Sequence, residues 1–198
     1  MERRFAIIGH RAQSNGKLNL NDLAGSAGRM DVLARSVNTS LFLSHGIRDD
    51  SQVTLHLLGG PGPVRRITFH GEKLRGVHPD ERAIAGHIGK ILRDPVPSIG
   101  NHVELHPGLS HSGGQIDQTI SEWNREGIRI FVLDADGTLF DPKLHSGDSV
   151  GFILSDDKPF TDLENKTFEG LERISLGKKW LQGHSCISII QHQLDSIN

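Results

Sequence analysis

The sequence predicts an α/β fold in which helices flank a mainly parallel sheet. Apolar runs typical of strands alternate along the chain with segments whose apolar residues recur at helical spacing. The chain of 198 residues is long enough for a substantial core, and we expect residues 1–198 to form a single domain. A hydrophobic content of 35% and a charged content of 23% are typical of a globular domain.

The first half of the chain predicts three strands and two helices. Strands are expected at residues 5–9, 53–57 and 64–69, where apolar residues form short runs or alternate with polar ones. Helical spacing predicts one helix over residues 29–45 and a second from residue 79 to about residue 92. The second helix begins with a proline and two acidic residues, which suit the first turn of a helix.

The second half continues this alternation after a candidate linker at residues 94–100, which contains two prolines and a glycine. The remaining expected elements are a short strand at residues 102–105, a helix at 115–126, strands at 128–133, 150–154 and 174–177, and a closing helix at 181–194.

The formal charge is distributed unevenly. The whole chain carries a net charge of −2, but residues 1–100 contain 14 Lys and Arg against 9 Asp and Glu, whereas residues 101–198 contain 8 against 15. Such an asymmetry indicates separate tasks for the two halves, although random scatter would also explain it. Arginines, such as Arg65, Arg66 and Arg75 of the basic half, suit bidentate contacts with phosphates; a solvated sheet face is the alternative.

Several classes of protein are excluded. No apolar stretch approaches the ~18 residues of a membrane span, and the N-terminus has no signal-peptide core. The single cysteine, Cys186, permits no internal disulfide and completes no cysteine-based zinc site. We therefore expect a cytoplasmic protein without a membrane partner.

The segment at residues 130–141, IFVLDADGTLFD, resembles the nucleophile motif of haloacid-dehalogenase-like phosphatases. In that family Asp134 would attack a phosphoryl group, Asp136 would act as acid and base, and magnesium would offset the charge. Only 57 residues follow Asp141, too few for the remaining catalytic strands of that family. The plain alternative is a strand followed by an Asp-Gly turn.

Four histidines in the second half raise the question of a metal site. They are His102, His106, His111 and His145. None has the helical spacing of a zinc-binding pair, and proline and glycines interrupt the segment. We interpret them as loop histidines and predict no metal site.

The N-terminal motifs resemble those of the TrmY family of pseudouridine N1-methyltransferases. The motif LAGSAGRMDVL spans residues 23–33, VNTSLFLSH spans residues 37–45, and PDER spans residues 79–82. Near the C-terminus, the Leu-Gly pair at residues 176–177 and the Ser-Cys pair at residues 185–186 match the last segment of the family. The resemblance covers essentially the full length of the chain.

Membership of this family, part of the SPOUT superfamily, would imply an α/β fold with a C-terminal trefoil knot and a homodimer. S-adenosylmethionine would bind in the knot, held by loops rather than by a Gly-x-Gly-x-x-Gly turn. Family members methylate N1 of pseudouridine at position 54 in the T-loop of archaeal tRNA. A tRNA is therefore the expected partner, with phosphates contacted by arginines such as Arg65, Arg66 and Arg75, and S-adenosylmethionine is the expected cofactor.

The resemblance also implies which residues bind the cofactor. Three loops would contribute: the first after Val132 and Leu133, the second at Ser155, and the third at residues 176–181 with Leu176, Gly177 and Leu181. Cys186 would close the pocket. Two departures from the family pattern, Ser155 in place of glycine and Lys178-Lys179-Trp180 in the third loop, would fit a bacterial subgroup with another target nucleoside.

Methylation of N1 requires loss of its proton or stabilisation of the resulting anion. Asp31 is the candidate base and Arg29 the candidate for stabilising charge on the ring, with Arg82 as a further candidate. The alternative is that Asp31 only complements the helix dipole and Arg29 is solvated. A non-catalytic RNA-binding module of the same fold is a third hypothesis beside the methyltransferase and the phosphatase.

Overall fold

A computed structural model describes residues 1–197, and in this range eight strands form one twisted sheet. The strands of the chain are β1 (Arg3–Gln13), β2 (Phe42–Leu43), β3 (Gly46–Ile47), β4 (Ser51–Gly59), β5 (Arg65–His70), β6 (Val103–His106), β7 (Leu109–Gly113), β8 (Arg129–Leu139), β9 (Val150–Ser155) and β10 (Glu172–Ser175). The helices are α1 (Met30–Leu41), α2 (Glu81–Ile91), α3 (Ile116–Arg125), α4 (Asp162–Thr167) and α5 (Gly183–Asp195), with a short 3-10 helix at Pro142–His145.

The strand order is β10-β8-β9-β1-β4-β5-β7-β6. The first five of these strands run parallel, and the last three add on in antiparallel fashion. The predicted α/β class with a mainly parallel sheet is therefore confirmed for the half that contains the predicted cofactor loops. Because parallel strands end at the same edge, the C-terminal ends of β8, β9, β10 and β1 meet there.

Helices cover both faces of the sheet, as a buried parallel sheet requires. Along β1, Phe5 and Ile7 point into a core shared with α1, α2 and α5, whereas Ala6 and Ile8 point into a second core that includes Trp123 of α3. None of the helices in residues 1–197 combines the length and the apolar character that crossing a bilayer demands. Threading of the last segment into a trefoil knot stays a prediction.

The helix predicted over residues 29–45 is shorter than expected. It ends at Leu41, because Phe42 adopts an extended backbone and pairs with Ile47 in the hairpin of β2 and β3. The apolar residues Phe42 and Leu43 continue the helical spacing, so the pattern alone extends the helix too far.

The Asp-Gly turn predicted after residue 133 lies inside a longer strand. Pairing of β8 with β10 jumps from Val132 to Thr138, so residues 133–137 leave the ladder and return to it. Gly137 permits the return, since a Cβ there would lie 2.7 Å from the backbone carbon of Arg173 in β10. The predicted turn is thus a bulge that projects from the sheet edge.

The sequence interpretation missed β7 and α4. The β7 segment, LSHSG, is polar, yet all five of its residues are buried, including His111. The interpretation of His111 as a loop histidine was therefore wrong. Helix α4 begins with a capping box, in which the side chains of Thr161 and Glu164 each accept a hydrogen bond from the backbone N–H of the other residue.

Two of the arginines expected to contact RNA are internal. Arg65 is fully buried and donates to the backbone carbonyls of Ile91 and Asp94 at 2.5 and 2.7 Å. Arg66 is also buried and forms a bidentate pair with Glu122 at 2.7 and 3.0 Å. The prediction of phosphate contact is wrong for both residues, because neither guanidinium reaches solvent. Arg75 is exposed, as expected.

Candidate functional site

A cavity of about 650 Å³ lies at the C-terminal ends of β8, β9 and β10, next to the first turns of α1 and α5. This volume falls within the range of small-molecule sites, roughly 300–1,000 Å³. Six of the seven predicted cofactor residues line it, namely Leu133, Ser155, Leu176, Gly177, Leu181 and Cys186. Val132 does not, because successive residues of a strand face opposite sides and its side chain packs into the core beneath α3.

The first and third predicted loops are tied together by Ser175, at the end of β10. Its hydroxyl donates to the carbonyl of Ala135 at 3.1 Å and accepts from the backbone N–H of Gly177 at 3.1 Å. Gly177 has a φ of 119°, a conformation that favours glycine, so the chain can turn away from the strand. In the middle loop, the Ser155 hydroxyl donates to the carbonyl of Lys158 and closes the turn. Serine at this position is therefore compatible with the cavity.

Cys186 forms part of the neutral wall of the cavity. It is half-buried, and burial raises the pKa of its thiol. The thiol is therefore protonated at neutral pH and suits a packing or ligand-lining role rather than nucleophilic catalysis.

The carboxylates on the cavity wall are held by cations of the same chain. Asp134 accepts from Arg173 at 2.6 Å, and the backbone N–H of Asp136 together with Arg173 lowers its pKa. Asp157 contacts Arg11 and also accepts from Arg29 at 3.2 Å. Asp136 does not line the cavity, so the two aspartates of the phosphatase motif do not converge on one site.

Arg29 is the N-cap residue of α1 and lines the cavity. Its backbone has a φ of 68°, which is unusual for a residue with a side chain and costs roughly 1–3 kcal/mol. A strained conformation of this kind persists only where the surrounding structure holds it in place. Here the conformation brings the guanidinium between Asp31 and Asp157 at the edge of the cavity.

Asp31 lies behind Arg29 and is buried. It accepts two hydrogen bonds from the Arg29 guanidinium, at 3.0 and 3.1 Å, and contacts Arg35 as well. Burial opposes ionisation of Asp31, but these two guanidiniums outweigh it and keep its pKa below the ordinary value. Asp31 is therefore an anion whose oxygens are already occupied, and it does not line the cavity.

Arg82, the third predicted catalytic residue, does not line the cavity either. It donates to the carbonyl of Leu20 at 3.0 Å and to the side chain of Asn21 at 2.9 Å. These contacts connect α2 to the segment that leads into Arg29.

The sequence interpretation missed His10, at the C-terminal end of β1. Its ring nitrogens lie 2.9 Å from Asp156 and 3.1 Å from Glu164, and its backbone N–H donates to Asp156 at 2.8 Å. Burial opposes protonation of the ring, but the two carboxylates outweigh it and raise the pKa of His10. His10 thus fixes Asp156, on the cavity wall, to both β1 and α4. Its place directly after an apolar strand run was the available signal.

The chain is similar to known proteins over nearly its full length. Residues 2–198 match the family described as "Putative SAM-dependent RNA methyltransferase". The chain is 37% identical over 195 residues to a tRNA (pseudouridine(54)-N(1))-methyltransferase of Methanococcoides burtonii, covering 98% of this chain and 96% of that protein. It is 39% identical over 197 residues to the protein of the same name from Haloarcula marismortui, again covering 98% and 96%.

Among solved structures, the fold is similar to that of Archaeoglobus fulgidus Nep1, crystallised with S-adenosylhomocysteine. The TM-score is 0.70 at 13% sequence identity, covering 100% of this chain and 99% of the other. At this identity the likeness concerns the fold, and it supports the α/β architecture described above.

Proposed function

The chain belongs to the family of SAM-dependent RNA methyltransferases, and from this premise we propose that it methylates N1 of a pseudouridine in tRNA. The proposal is supported by full-length similarity to archaeal enzymes that bear this activity in their names. The observation that carries it is the convergence of three predicted cofactor loops on one cavity at the ends of parallel strands.

The residues around the cavity fit S-adenosylmethionine. Leu133, Leu176 and Cys186 offer an uncharged surface for the apolar parts of the molecule. Asp134 and Asp157, whose pKa values lie below the ordinary range, offer anionic oxygens to a molecule that carries a sulfonium and an ammonium group. When bound, S-adenosylmethionine supplies an electrophilic methyl group.

Arg29 has the chemistry to stabilise the target base. The N1 proton passes to solvent, which leaves negative charge on the ring, delocalised onto its carbonyl oxygens. A guanidinium fixed at the cavity edge can donate to those oxygens without reorganising, which is the general basis of electrostatic catalysis. Charge stabilisation by Arg29 favours the anionic nitrogen that attacks, and the cavity walls limit access of competing water.

Asp31 and Arg82 act through other groups in this proposal. The carboxylate of Asp31, whose oxygens already accept from Arg29, suits positioning of that guanidinium better than removal of a proton. Arg82 similarly positions the segment before Arg29 through Leu20 and Asn21. The base role first predicted for Asp31 is the competing hypothesis, and the two differ in their pH profiles.

The proposal includes three properties of the whole chain. Residues 1–198 form one cooperative domain, since a single sheet uses strands from both ends of the sequence. The protein is a homodimer, for which Leu139 and Leu144, 72% and 74% exposed, are candidate apolar contacts. It acts in the cytoplasm, where a tRNA substrate is available. Calorimetric unfolding, light scattering and cell fractionation test these three statements.

The test of activity is transfer of a labelled methyl group to tRNA transcripts. Matched transcripts should carry either pseudouridine or uridine at one T-loop position, and only the former should be methylated. Binding of S-adenosylmethionine without transfer to any tRNA would favour the non-catalytic RNA-binding module. Magnesium-dependent hydrolysis of phosphate esters that is lost in Asp134→Asn would instead support the phosphatase hypothesis.

A further inference from the structure

The loop that follows β10 has two chemically different sides. Leu176, Gly177 and Leu181 supply its apolar and neutral part, whereas Lys178, Lys179 and Trp180 are exposed, the last two also at the border of the cavity. Trp180 has 81% of its surface exposed, although it borders the cavity. The other tryptophan of the chain, Trp123, is only 2% exposed. An exposed indole beside a reaction site offers a flat apolar face that the chain itself does not cover.

Uncompensated positive charge surrounds this indole. The carboxylates Asp134, Asp156 and Asp157 on the cavity wall are each paired with a cation of the chain. By contrast, none of the lysines at the mouth of the cavity forms an ion pair within residues 1–197. Lys158 and Lys179 line the mouth, and Lys178 is an exposed neighbour of Lys179 in the chain. The mouth of the cavity therefore favours the binding of a polyanion. Arg65 and Arg66 cannot supply this contact, because both are buried.

We propose that Trp180 stacks on a nucleobase of the bound RNA next to the target nucleoside, while Lys178 and Lys179 contact the adjoining phosphates. This inference rests on the proposed function and assigns the RNA-contacting part of the same site. Aromatic side chains flanked by cations are the usual means by which proteins hold unstacked bases. Such a platform would place the RNA next to the cofactor cavity, because residues on both sides of Trp180 line that cavity.

Tryptophan fluorescence reports directly on this contact. The difference between the spectra of the unsubstituted protein and Trp180→Phe isolates the emission of Trp180 from that of buried Trp123. Addition of an unmodified tRNA transcript should quench this difference signal. Addition of S-adenosylhomocysteine alone should leave it unchanged, because 81% of the Trp180 surface is open to solvent although the residue borders the cavity.

Steady-state kinetics measures the contribution to RNA binding. Trp180→Ala should raise the KM for tRNA by about tenfold or more, as expected for loss of one stacked base. Trp180→Phe should restore most of the loss, and the KM for S-adenosylmethionine should stay the same in both variants. The double variant Lys178→Gln/Lys179→Gln should lower the salt dependence of tRNA affinity by a log–log slope of roughly 1.4–1.8. Lys90→Gln, at an exposed position on α2, is the matched control with no change.

Three results would overturn the inference. One is an unchanged KM for tRNA in Trp180→Ala; another is quenching by S-adenosylhomocysteine alone, which would place the indole over the cofactor. The third is an emission shift that depends on protein concentration without RNA, which would assign Trp180 to contact with a second copy of the chain. These outcomes differ from failure of the proposed function, in which the unsubstituted protein transfers no methyl group even though tRNA quenching can still be measured.

Discussion

Replacement of Asp31 by Asn tests whether this carboxylate positions Arg29 or removes a proton. Asparagine keeps the shape of the side chain but removes the charge that accepts the bidentate hydrogen bonds at 3.0 and 3.1 Å. Charge-assisted hydrogen bonds contribute about 1.5–3 kcal/mol each to the state in which they form. Asp157, at 3.2 Å, still contacts the guanidinium in the variant. If the loss equals one such bond and is expressed fully in the transition state, kcat falls about 10- to 100-fold.

The assay is single-turnover methyl transfer to tRNA between pH 6 and about 9, accompanied by calorimetry with S-adenosylhomocysteine. A positioning role predicts a lower rate with an unchanged pH profile and an unchanged cofactor affinity. Glu81→Gln is the matched control, because Glu81 is half-exposed and lies 3.7 Å from Arg35 in the same cluster of charges. The control should stay within about twofold of the unsubstituted enzyme. An unchanged rate in Asp31→Asn would refute any role for the residue, and loss of a titrating limb in that variant would identify Asp31 as the base.

The remaining predictions concern pH and stability. Because His10 has a raised pKa, its contacts with both carboxylates are complete below the ordinary histidine value of about 6.5 and are lost as pH rises through the pKa in the folded protein. Calorimetry should show a falling affinity for S-adenosylhomocysteine over this rise, and His10→Gln should remove the dependence; an identical slope in the variant would contradict the assignment. Glu122→Gln should lower the free energy of unfolding by roughly 2–3 kcal/mol in urea denaturation, because buried Arg66 loses its partner. Burial opposes ionisation of Glu122, but His102 and Arg66 outweigh it and lower its pKa to about 2. The contribution of Glu122 to the free energy of unfolding is therefore lost as pH falls from about 4.5 towards 2. A free energy of unfolding that does not change over this pH range would count against the pair.

The parallel half of the sheet could be predicted because its strands are short apolar runs. Such runs can be recognised in the sequence without knowledge of their tertiary contacts. Ile130, Val132 and Ile153 are buried as such runs require. The β7 segment was missed for the complementary reason. Its buried serines and His111 have no hydrophobic pattern, and they are accommodated only because Arg65 and Arg66 lie next to them.

The candidate site was predictable where it depends on position along strands, and unpredictable where it depends on distant partners. The loops after β9 and β10, and the bulge within β8, follow apolar strand runs, which parallel topology brings together. His10 pairs with residues 146 and 154 positions away, and no local pattern indicates such a contact. The burial of Arg65 and Arg66 is equally invisible in the sequence, because a formal charge does not say whether it faces solvent.

The contacts of the charged side chains show which of the charges behind the net charge of −2 are neutralised within the chain. Many arginines of the basic first half are neutralised inside the chain, for example Arg3 by Asp50 and Asp195, at 3.2 and 2.5 Å. The lysines without acidic partners at the mouth of the cavity belong to the acidic second half. The distribution of charge along the sequence therefore does not coincide with the surface available to RNA.

Mass spectrometry of the nucleosides in tRNA, from cells with and without the gene for this protein, is the decisive test of pseudouridine N1-methylation. N1-methylpseudouridine should be present in tRNA from cells with the gene and absent without it. Unmethylated pseudouridine should take its place, and a gene encoding Arg29→Lys should restore the methylated nucleoside only weakly. An unchanged set of methylated nucleosides in the two tRNA pools would contradict this activity.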